Sequence, residues 1–428
     1  MENLRTINVA LLGVGTVGGG VYKLIQRQAS ELPHKINANL EVKKILVRDT
    51  SKDRPGIPKE ILTDSFEDII NDESIDIVVE VTGGIDPARE RIARALQAGK
   101  SVVTANKDLI AVHGGELLDE AAKAGRDLRF EAAVAGGIPI IRPFKECLAG
   151  NNITEVMGIV NGTTNYILTK MDEDGMDFDE ALALATELGY AEADPTADIE
   201  GYDAGRKVAI MASLAFNSRV VFSDVNVEGI TKITAQDIEF ARNFGKVIKL
   251  LGITRNSEEG IEASVHPILI DKTHPLAAVR ESFNAVFVHG DAVDDAMFYG
   301  RGAGEFPTAS AVMGDIIEES RNIMMGCTGR IGCSCYKTIP IKPASEVESK
   351  FFLRMEVPDR AGVLAGISNI FGEHNISITQ VVQTPSVDGI ANLVIMTDDV
   401  RQKNFDDAIA KLEALDSVNE INSIIRVY

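Results

Sequence analysis

The sequence predicts an α/β protein whose amino-terminal third folds as a doubly wound parallel sheet. Apolar runs alternate with amphipathic stretches between residues 7 and 132, a pattern typical of βαβ units. Between the first apolar run and the stretch that follows, the spacing Gly13-x-Gly15-x-x-Gly18 supplies a glycine turn in a strand–turn–helix context. After residue 350 the pattern changes to strand, helix, strand, strand, helix, strand, which is typical of a ferredoxin-like domain.

The first third is expected to hold five strands joined by helices, in a Rossmann-type domain over residues 1–140. The expected strands span 7–12, 42–47, 76–81, 101–104 and 128–132. The expected helices start near Val17 and span 65–70, 87–98 and 115–124. A further helix near 305–325, which follows a glycine turn, is expected to return to this domain.

The glycine turn is typical of a dinucleotide site. Gly13 permits a tight turn, Gly15 lets the backbone approach a pyrophosphate, and Gly18 lets the helix pack closely on the strand. The amino terminus of the helix then faces the phosphates. Because ligands of such sheets sit at the carboxyl ends of the strands, Thr16 and Lys107, together with Val17, are also expected near the cofactor.

The end of the second strand bears on which nicotinamide nucleotide is used. An acidic residue there would bind the ribose 2′-hydroxyl, whereas an arginine would accept a 2′-phosphate. Arg48 occupies this position, which favours NADP. Asp49 and Asp53 follow closely, so NAD stays open as the alternative.

The stretch 187–207, ELGYAEADPTADIEGYDAGRK, is rich in carboxylates and is followed by an apolar helix. Asp203 and Lys207 are four residues apart, so they lie on one helix face. An exposed ion pair is the simple interpretation. Glu192 and other acids just upstream favour a polar site, in which the lysine is either a proton donor or a clamp for the substrate.

The bulk composition narrows the class of protein. A chain of 428 residues is expected to form two or three domains. The net charge of −21 argues against nucleic acid or an anionic membrane surface as partner. No signal peptide or membrane span is expected, and the four cysteines are expected to be reduced in a cytoplasm. Cys327, Cys333 and Cys335 are interpreted as free thiols, with a soft-metal or redox pair as the alternative.

The remaining sequence suggests two more domains. Residues 141–340 mix strands and helices, which predicts an α+β catalytic and dimerisation domain. In it, residues 161–164 (NGTT) are interpreted either as a helix cap or as a substrate contact. A polar, proline-containing stretch near 339–349 is interpreted as a flexible linker. In the tail, defined as residues 349–428, the turn 359–362 could receive an amino-acid carboxylate, with a purely oligomerising tail as the alternative.

Several motifs together resemble the homoserine dehydrogenase family. They are GVGTVGGGV, TANKDLIAVHG, FEAAVAGGIPIIRP, GIVNGTTNYIL, YAEADPTADIEGYDAGRK and RGAGEFPTASAVMGDI, in that order along residues 7–340. The tail, with EVPDRAGVLAGISNIFGEHNISI, resembles an ACT domain. The resemblance implies reversible NAD(P)-dependent reduction of L-aspartate 4-semialdehyde to L-homoserine, in the biosynthesis of threonine, methionine and isoleucine.

The resemblance also implies roles for individual residues. Lys207 would be the proton donor, Asp203 and Glu192 would bind the substrate, and Lys107 would contact both cofactor and substrate. Further cofactor contacts are implied at Thr16, Val17, Gly189 and Gly304, and a monovalent cation, taken as Na⁺, is implied near Glu131, Val134, Gly136 and Ile138. The enzyme is expected to be a homo-oligomer, a dimer or tetramer, with threonine as the tail's effector. The competing hypothesis is a non-catalytic sensor of nucleotide and amino acid.

Overall fold

The computed structural model describes residues 4–428, so the first three residues of the predicted nucleotide-binding domain lie outside it. The chain forms two compact units. The first unit comprises Met1–Val156, Arg206–Asp224 and Asn284–Thr338, and the second comprises Met157–Gly205, Val225–Phe283 and Ile339–Tyr428. No helix among residues 4–428 has the length and apolar character needed to cross a bilayer.

The first unit contains the predicted parallel sheet. It has six strands in the order β3-β2-β1-β4-β5-β6, all paired in parallel. The strands are β1 (Thr6–Leu12), β2 (Asn39–Leu46), β3 (Leu62–Thr63), β4 (Ile77–Glu80), β5 (Ser101–Thr104) and β6 (Leu128–Arg129). Every residue of β4 and β5 is buried, as expected for strands covered on both faces. The strand order reverses between β1 and β4, which confirms the doubly wound class and opens a crevice at their carboxyl ends.

The connecting segments of this sheet are mostly amphipathic helices. They are α1 (Thr16–Arg27), α2 (Leu32–Ile36), α3 (Glu67–Ile70), α4 (Asp86–Gln97) and α5 (Lys107–Ala124). The expected helix at 115–124 begins eight residues earlier, because the Asn106 side chain caps it by accepting from Leu109 N at 3.1 Å. The strand expected to reach residue 132 ends at Arg129, where Glu131–Ala133 instead form a 3₁₀ turn.

The middle of the chain follows with β7 (Ile153–Ile159), α6 (Gly162–Asp174), α7 (Phe178–Glu187), α8 (Thr196–Ile199), α9 (Tyr202–Phe216), β8 (Asn226–Val227), α10 (Ala235–Asn243), β9 (Lys246–Ser257), β10 (Gly260–Asp271), β11 (Phe283–Gly290), β12 (Asp294–Arg301) and α11 (Glu305–Met325). In the second unit, β9 and β10 form a long antiparallel hairpin. In the first unit, α11 packs against α1. Lys23 pairs with Glu305 at 2.7 Å, and a Cβ atom at Gly20 would lie 2.9 Å from the Glu305 carbonyl oxygen.

The tail has the predicted βαββαβ order with one short additional strand. Its elements are β13 (Glu348–Pro358), α12 (Val363–Glu373), β14 (Ile378–Gln383), β15 (Ile390–Thr397), β16 (Val400–Arg401), α13 (Gln402–Glu413) and β17 (Glu420–Val427). The sheet order is β17-β13-β15-β14, with antiparallel pairing. Its core contains Phe351 stacked on Phe405, with ring centroids 3.7 Å apart.

Two sets of contacts attach the tail to the second unit and hold the stretch that was interpreted as a flexible linker. Strand β17 pairs in parallel with β10, so the tail extends the sheet of the second unit. The linker is also held in place: Ile261 exchanges backbone hydrogen bonds of 2.8 Å with Pro340 and Lys342. The Lys342 ammonium further pairs with Glu259 at 2.9 Å and Glu262 at 3.0 Å. The edge of β10 offers backbone groups that need partners, and the linker and β17 supply them.

Candidate active site

The glycine turn between β1 and α1 is shaped by two close approaches. Gly13 has a φ of +96° and donates its N–H to the Leu46 carbonyl at 3.0 Å. A Cβ atom at Gly18 would lie 2.3 Å from the Gly13 carbonyl oxygen, so only glycine lets the helix close onto the turn. At Gly15, the N-cap of α1, a Cβ atom would meet nothing within 4 Å. The amino terminus of α1 therefore faces open space, as a phosphate site requires.

A cavity of about 890 Å³ opens beside this turn, at the carboxyl ends of β1, β2 and β4. Its lining includes Gly13 and Gly15, the cations Arg48, Lys52, Arg54 and Arg91, and the acids Asp49 and Asp64. Two of the other predicted contacts lie at this turn. Thr16 is the exposed first residue of α1, and Val17 packs partly against the core of the sheet.

Arg48 is a cation of this cavity without a protein partner among residues 4–428, as are Lys52 and Arg91. The Asp49 carboxylate accepts from Ser51 N at 2.8 Å and Ser51 Oγ at 2.6 Å, and these bonds hold its pKa below the usual range. Arg54 donates to the carbonyls of Asp49 and Lys52. Arg48 is exposed and makes no hydrogen bond or ion pair within residues 4–428. Its guanidinium is therefore available to an anionic ligand.

A buried carboxylate, which sequence reasoning missed, organises the ends of β4 and β5. Glu80 is fully buried, and its oxygens accept from Thr82 N at 2.7 Å, Thr82 Oγ1 at 2.6 Å and Thr104 Oγ1 at 2.8 Å. Asn106 then donates its side-chain amide to the Gly84 carbonyl at 2.7 Å. These bonds fix the loops that follow β4 and β5. Glu80 therefore positions the cavity wall from inside the protein.

The two lysines of the predicted site belong to neighbouring helices of the first unit. Lys107 is the first residue of α5, directly after the Asn106 cap, and is partly buried. Lys207 lies in α9 and is 9% exposed. Asp108, the second residue of α5, forms an ion pair at 3.1 Å with Arg206, which directly precedes Lys207 in α9. This ion pair holds the amino end of α5 against α9, so both lysines adjoin the same contact.

Within the second unit, Asp203 belongs to a buried polar cluster. The Asn161 amide nitrogen donates to Asp198 Oδ1 at 2.7 Å and to Asp203 Oδ2 at 2.9 Å, and Asp203 is 6% exposed. The Asn161 side-chain oxygen Oδ1 accepts from Thr164 N at 2.9 Å, which confirms the cap of α6. Asn161 thus caps a helix and orients Asp203, which lies one turn before Lys207 on α9. The surface ion pair expected in the simple interpretation is wrong, because both side chains are buried.

Gly189 and Glu192 lie in the segment after α7. Gly189 has a φ of +75°. The carbonyl of Tyr190, which follows it, accepts a hydrogen bond from Thr163 Oγ1 at 2.7 Å. The Tyr190 ring also packs on Tyr166, with centroids 4.7 Å apart. Glu192 is exposed and makes no hydrogen bond or ion pair among the described residues 4–428. The structure therefore does not bring Glu192 into contact with the Asn161–Asp203 cluster.

The segment predicted to hold a cation has an unusual backbone. Ala135 and Gly136 both have positive φ, +52° and +46°, which turns successive carbonyls away from their ordinary directions. A Cβ atom at Gly136 would lie 2.2 Å from the Gly302 carbonyl oxygen. Within this segment, Ile138 N donates a hydrogen bond to the Ala135 carbonyl. Ala135 is not one of the predicted cation ligands. Backbone carbonyls of this kind suit a hard cation.

The Glu131 carboxylate, in contrast, is occupied by the protein. Its oxygens accept from the backbone N–H groups of Ile140 (2.6 Å), Ile141 (2.7 Å) and Arg142 (2.8 Å). Glu131 N donates to Asp315, whose pKa is raised to about 6 by burial and by the Glu131 charge. Any ligand oxygen from Glu131 would therefore come from its backbone carbonyl.

Gly304 lies at the start of α11, in the first unit. It is the N-cap of this helix and has a φ of +121°. The first turn of α11, which Gly304 caps, packs against Gly20 and Lys23 of α1. Of the predicted cofactor contacts, Gly13, Gly15 and Arg48 line the cavity and Thr16 and Gly18 lie at the glycine turn, whereas Gly304 lies at the start of α11 outside the cavity lining.

Comparison with known proteins shows what the chain resembles. Models described as "Homoserine dehydrogenase, NAD binding domain", "Homoserine dehydrogenase" and "ACT domain" match residues 13–131, 139–317 and 351–417. The homoserine dehydrogenase of Corynebacterium glutamicum is 48% identical, with 98% of this chain and 95% of that protein covered. The crystal structure of a homoserine dehydrogenase from Thiobacillus denitrificans is 41% identical, covers 100% of this chain and 99% of that one, and has a TM-score of 0.94. A hyperthermophilic archaeal homoserine dehydrogenase in complex with NADPH is 28% identical, covers 74% of this chain and 98% of that one, and has a TM-score of 0.63.

Proposed function

The chain belongs to the homoserine dehydrogenase family, and from this premise we propose that it catalyses the reversible NAD(P)-dependent reduction of L-aspartate 4-semialdehyde to L-homoserine. The observation that carries the proposal is the burial of Asp203 and Lys207 one turn apart on α9. A buried acid and a buried lysine on one helix face suit a substrate that carries an ammonium group and an oxygen to be protonated.

The roles of the side chains follow from their chemistry. Bound reduced nicotinamide nucleotide would supply the hydride that reduces the aldehyde carbon. Lys207 donates a proton to the developing alkoxide, and its charge stabilises that alkoxide before transfer. Asp203, oriented by Asn161, pairs with the substrate ammonium. Glu192 completes this ammonium site once substrate is present, and Lys107 at the amino end of α5 contacts both cofactor and the reacting end.

The direct test is the loss of NADPH absorbance when purified full-length protein receives aspartate 4-semialdehyde. We expect turnover of the order of 1–10³ s⁻¹, the usual range for metabolic enzymes. In the reverse direction, homoserine and NADP⁺ should give NADPH. Binding of the nucleotide with no turnover in either direction would support the sensor hypothesis instead.

NADP is the cofactor that we propose, with NAD as the weaker alternative. Arg48, which has no protein partner within residues 4–428, lines the cavity at the end of β2, where a 2′-phosphate would lie. The NADPH complex of the archaeal relative is in keeping with this choice. We expect Arg48→Ala to raise KM for NADPH about 10- to 100-fold and to change KM for NADH little, because a charge-assisted bond is lost only with the phosphorylated nucleotide.

The control for Arg48→Ala is Arg89→Ala. Arg89 is a partly exposed arginine that pairs with Glu116 at 2.7 Å and lies outside the cavity lining. The Arg89→Ala variant should leave the KM values for NADPH and NADH unchanged. Equal losses with NADPH and NADH in Arg48→Ala would remove the basis for preferring NADP.

We also propose that a monovalent cation, taken as Na⁺, binds the backbone carbonyls of Glu131, Val134, Gly136 and Ile138. The positive φ angles of Ala135 and Gly136 support this proposal. Replacing Na⁺ by choline at constant ionic strength should lower the thermal unfolding midpoint by a few degrees, because a ligand that binds only the native state stabilises it. The midpoint should return with Na⁺ along a saturation curve. Identical midpoints in both salts would contradict the cation site.

For the tail, we propose that it binds threonine at the turn before α12 and that occupancy lowers the rate. The turn ends at Gly362, with φ +94°, and Asp359 in it accepts from Gln383 Nε2 at 3.1 Å. The N–H groups at the start of α12 suit the carboxylate of the effector, and Asp359 suits its ammonium. Inhibition requires that threonine bind the inhibited state more tightly than the active one.

We expect Asp359→Asn to weaken threonine inhibition about tenfold while the uninhibited rate stays unchanged, because one charged contact is lost and the hydrogen bond from Gln383 is kept. Calorimetric titration with threonine and inhibition curves measure the effect. Asp388→Asn, which changes an exposed tail aspartate outside this turn, is the matched control. Absence of inhibition and of binding in the unmodified protein would reject threonine as effector.

The remaining proposals concern organisation. The domain division at 1–140, 141–340 and 349–428 is supported by the limits of the matching family models. We propose a homo-oligomer, a dimer or tetramer, located in the cytoplasm, where reduced nicotinamide nucleotide is available. Light scattering on the purified protein measures the number of subunits.

A further inference from the structure

A second cavity of the first unit has none of the predicted catalytic, cofactor or cation residues in its lining. Its volume is about 210 Å³, and its lining includes Cys333, Ser334, Cys335, Arg219, His113 and Ser213. All four cysteines of the chain are free, and Cys333 and Cys335 are partly exposed. The cavity thus joins two thiols, one residue apart in sequence, to a space that a small molecule can enter.

Cations flank the first of these thiols. The Arg219 guanidinium lies beside Cys333, and Lys145 Nζ donates to the carbonyl of the preceding Gly332 at 3.3 Å. Cys335 lies within hydrogen-bonding reach of the Cys333 sulfur, and this interaction, with the Arg219 charge, lowers the pKa of Cys333 to about 5. The same interaction and burial raise the pKa of Cys335, so it keeps its proton. Such surroundings are typical of a reactive cysteine next to a resolving one.

We propose that Cys333 and Cys335 form a reversible redox site that exchanges with low-molecular-weight disulfides of the glutathione type. The Cys333 thiolate attacks one sulfur of R–S–S–R, forms a mixed disulfide and releases one thiolate, RS⁻. Cys335 gives its proton to solvent and attacks the Cys333 sulfur, which forms the Cys333–Cys335 bond and releases the second RS⁻. The protein dithiol loses two electrons and the small disulfide gains them, so two RSH molecules result after protonation.

The geometry connects this site to helix α9. Cys335 Sγ donates to the Ser213 carbonyl at 3.6 Å, and Ser213 Oγ bonds both the N–H (2.9 Å) and the carbonyl (3.0 Å) of Val220. Oxidation removes the S–H donor and leaves the Ser213 carbonyl without it. A disulfide between residues so close in sequence is strained, and strained, accessible disulfides are the readily reduced ones. Both features suit a reversible modification.

The test treats full-length protein with oxidised glutathione, blocks the remaining thiols by alkylation and identifies cysteine peptides by mass spectrometry. We expect a Cys333–Cys335 disulfide that reduced dithiothreitol reverses. Cys335→Ser should stop at a glutathione adduct on Cys333, and Cys333→Ser should leave Cys335 unmodified. Cys327→Ser, which changes a nearby thiol bonded to Asn322, should behave as the unmodified protein. Free thiols at both positions under conditions that modify the exposed Cys147 would overturn the proposal, as would an adduct on Cys335.

A second measurement is independent of the disulfide. The alkylation rate of Cys333 should be nearly constant between about pH 6 and pH 8, because its thiolate is already formed there. The rate of free N-acetylcysteine, alkylated in the same mixture, should rise about tenfold per pH unit over the same range, as for an ordinary thiol. A Cys333 rate that rises in parallel with that of N-acetylcysteine would contradict the thiolate and the redox site with it.

Discussion

Replacing Lys207 with methionine is expected to lower turnover about 10²- to 10⁴-fold while NADPH binding stays close to unchanged. Methionine keeps much of the buried apolar volume of the side chain and removes only the proton and the charge. Because the alkoxide forms only as hydride is transferred, the loss should appear in kcat and kcat/KM together, with little change in the KM for NADPH.

The measurement combines steady-state kinetics with titration of NADPH by fluorescence. Met211→Leu is the matched control, since Met211 is buried one turn further along α9 and the exchange conserves volume. The control should keep kcat within about threefold, which shows that a buried substitution on this helix is tolerated. A Lys207→Met enzyme that also stays within about threefold would reject Lys207 as the proton donor.

The parts of the fold that a local sequence pattern determines were predictable, and the parts that distant contacts determine were not. Five of the six strands of the parallel sheet were found because each contains a short apolar run, and the glycine spacing identified the first turn. The two-residue strand β3 (Leu62–Thr63) was missed because it is too short to show a pattern. The bounds of α5 were wrong by eight residues because its start is set by one side chain, Asn106, rather than by hydrophobic period. The tail's order was correct, but its attachment was not. Nothing in the pattern of β17 shows that it will pair with β10, more than 150 residues earlier.

The candidate site shows the same division. The placement of Asp203 and Lys207 on one helix face is visible from a spacing of four, and the glycine turn is visible from its motif. Glu80 escaped notice because a single acid at the end of an apolar strand has no distinguishing pattern. The contact of Asn161 with Asp203 spans 42 positions, so only the folded chain reveals it. The family resemblance supplied Glu192, which the structure leaves exposed and without a partner within residues 4–428.

The attachment of the tail changes how its regulation should be studied. Removing residues 349–428 would leave the edge of β10 without its partner strand β17. It would also remove Arg354, the cation that pairs with the buried Asp237 of α10. Loss of activity after truncation could then come from instability of the second unit rather than from loss of an effector site. A point substitution in the effector turn leaves these contacts in place, which is why Asp359→Asn separates binding from stability where truncation does not.

The buried acid in question is Asp237, and its partner is Arg354 of β13. The two side chains are 2.8 Å apart, with 0% and 4% of their surfaces exposed. Arg354 also donates to Gln236 Oε1 at 2.8 Å, and Asp237 accepts from the N–H and hydroxyl of Thr234 in the capping box of α10. The tail is therefore joined to α10 through an ion pair whose two members are both hydrogen-bonded elsewhere.

Arg354→Met is accordingly expected to lower the free energy of unfolding by about 3–5 kcal/mol, because it leaves the Asp237 charge buried without its cation. Urea unfolding with an unchanged slope measures the loss. Arg401→Met is the matched control, since this tail arginine pairs with Glu348 at the surface at 3.3 Å and should cost less than about 1 kcal/mol. Adding Asp237→Asn to Arg354→Met should restore part of the stability, because the unpaired charge is then gone, so the two effects should not add. If Arg354→Met costs no more than Arg401→Met, this ion pair does not stabilise the attachment of the tail, and the pairing of β17 with β10 remains as the reason against truncation.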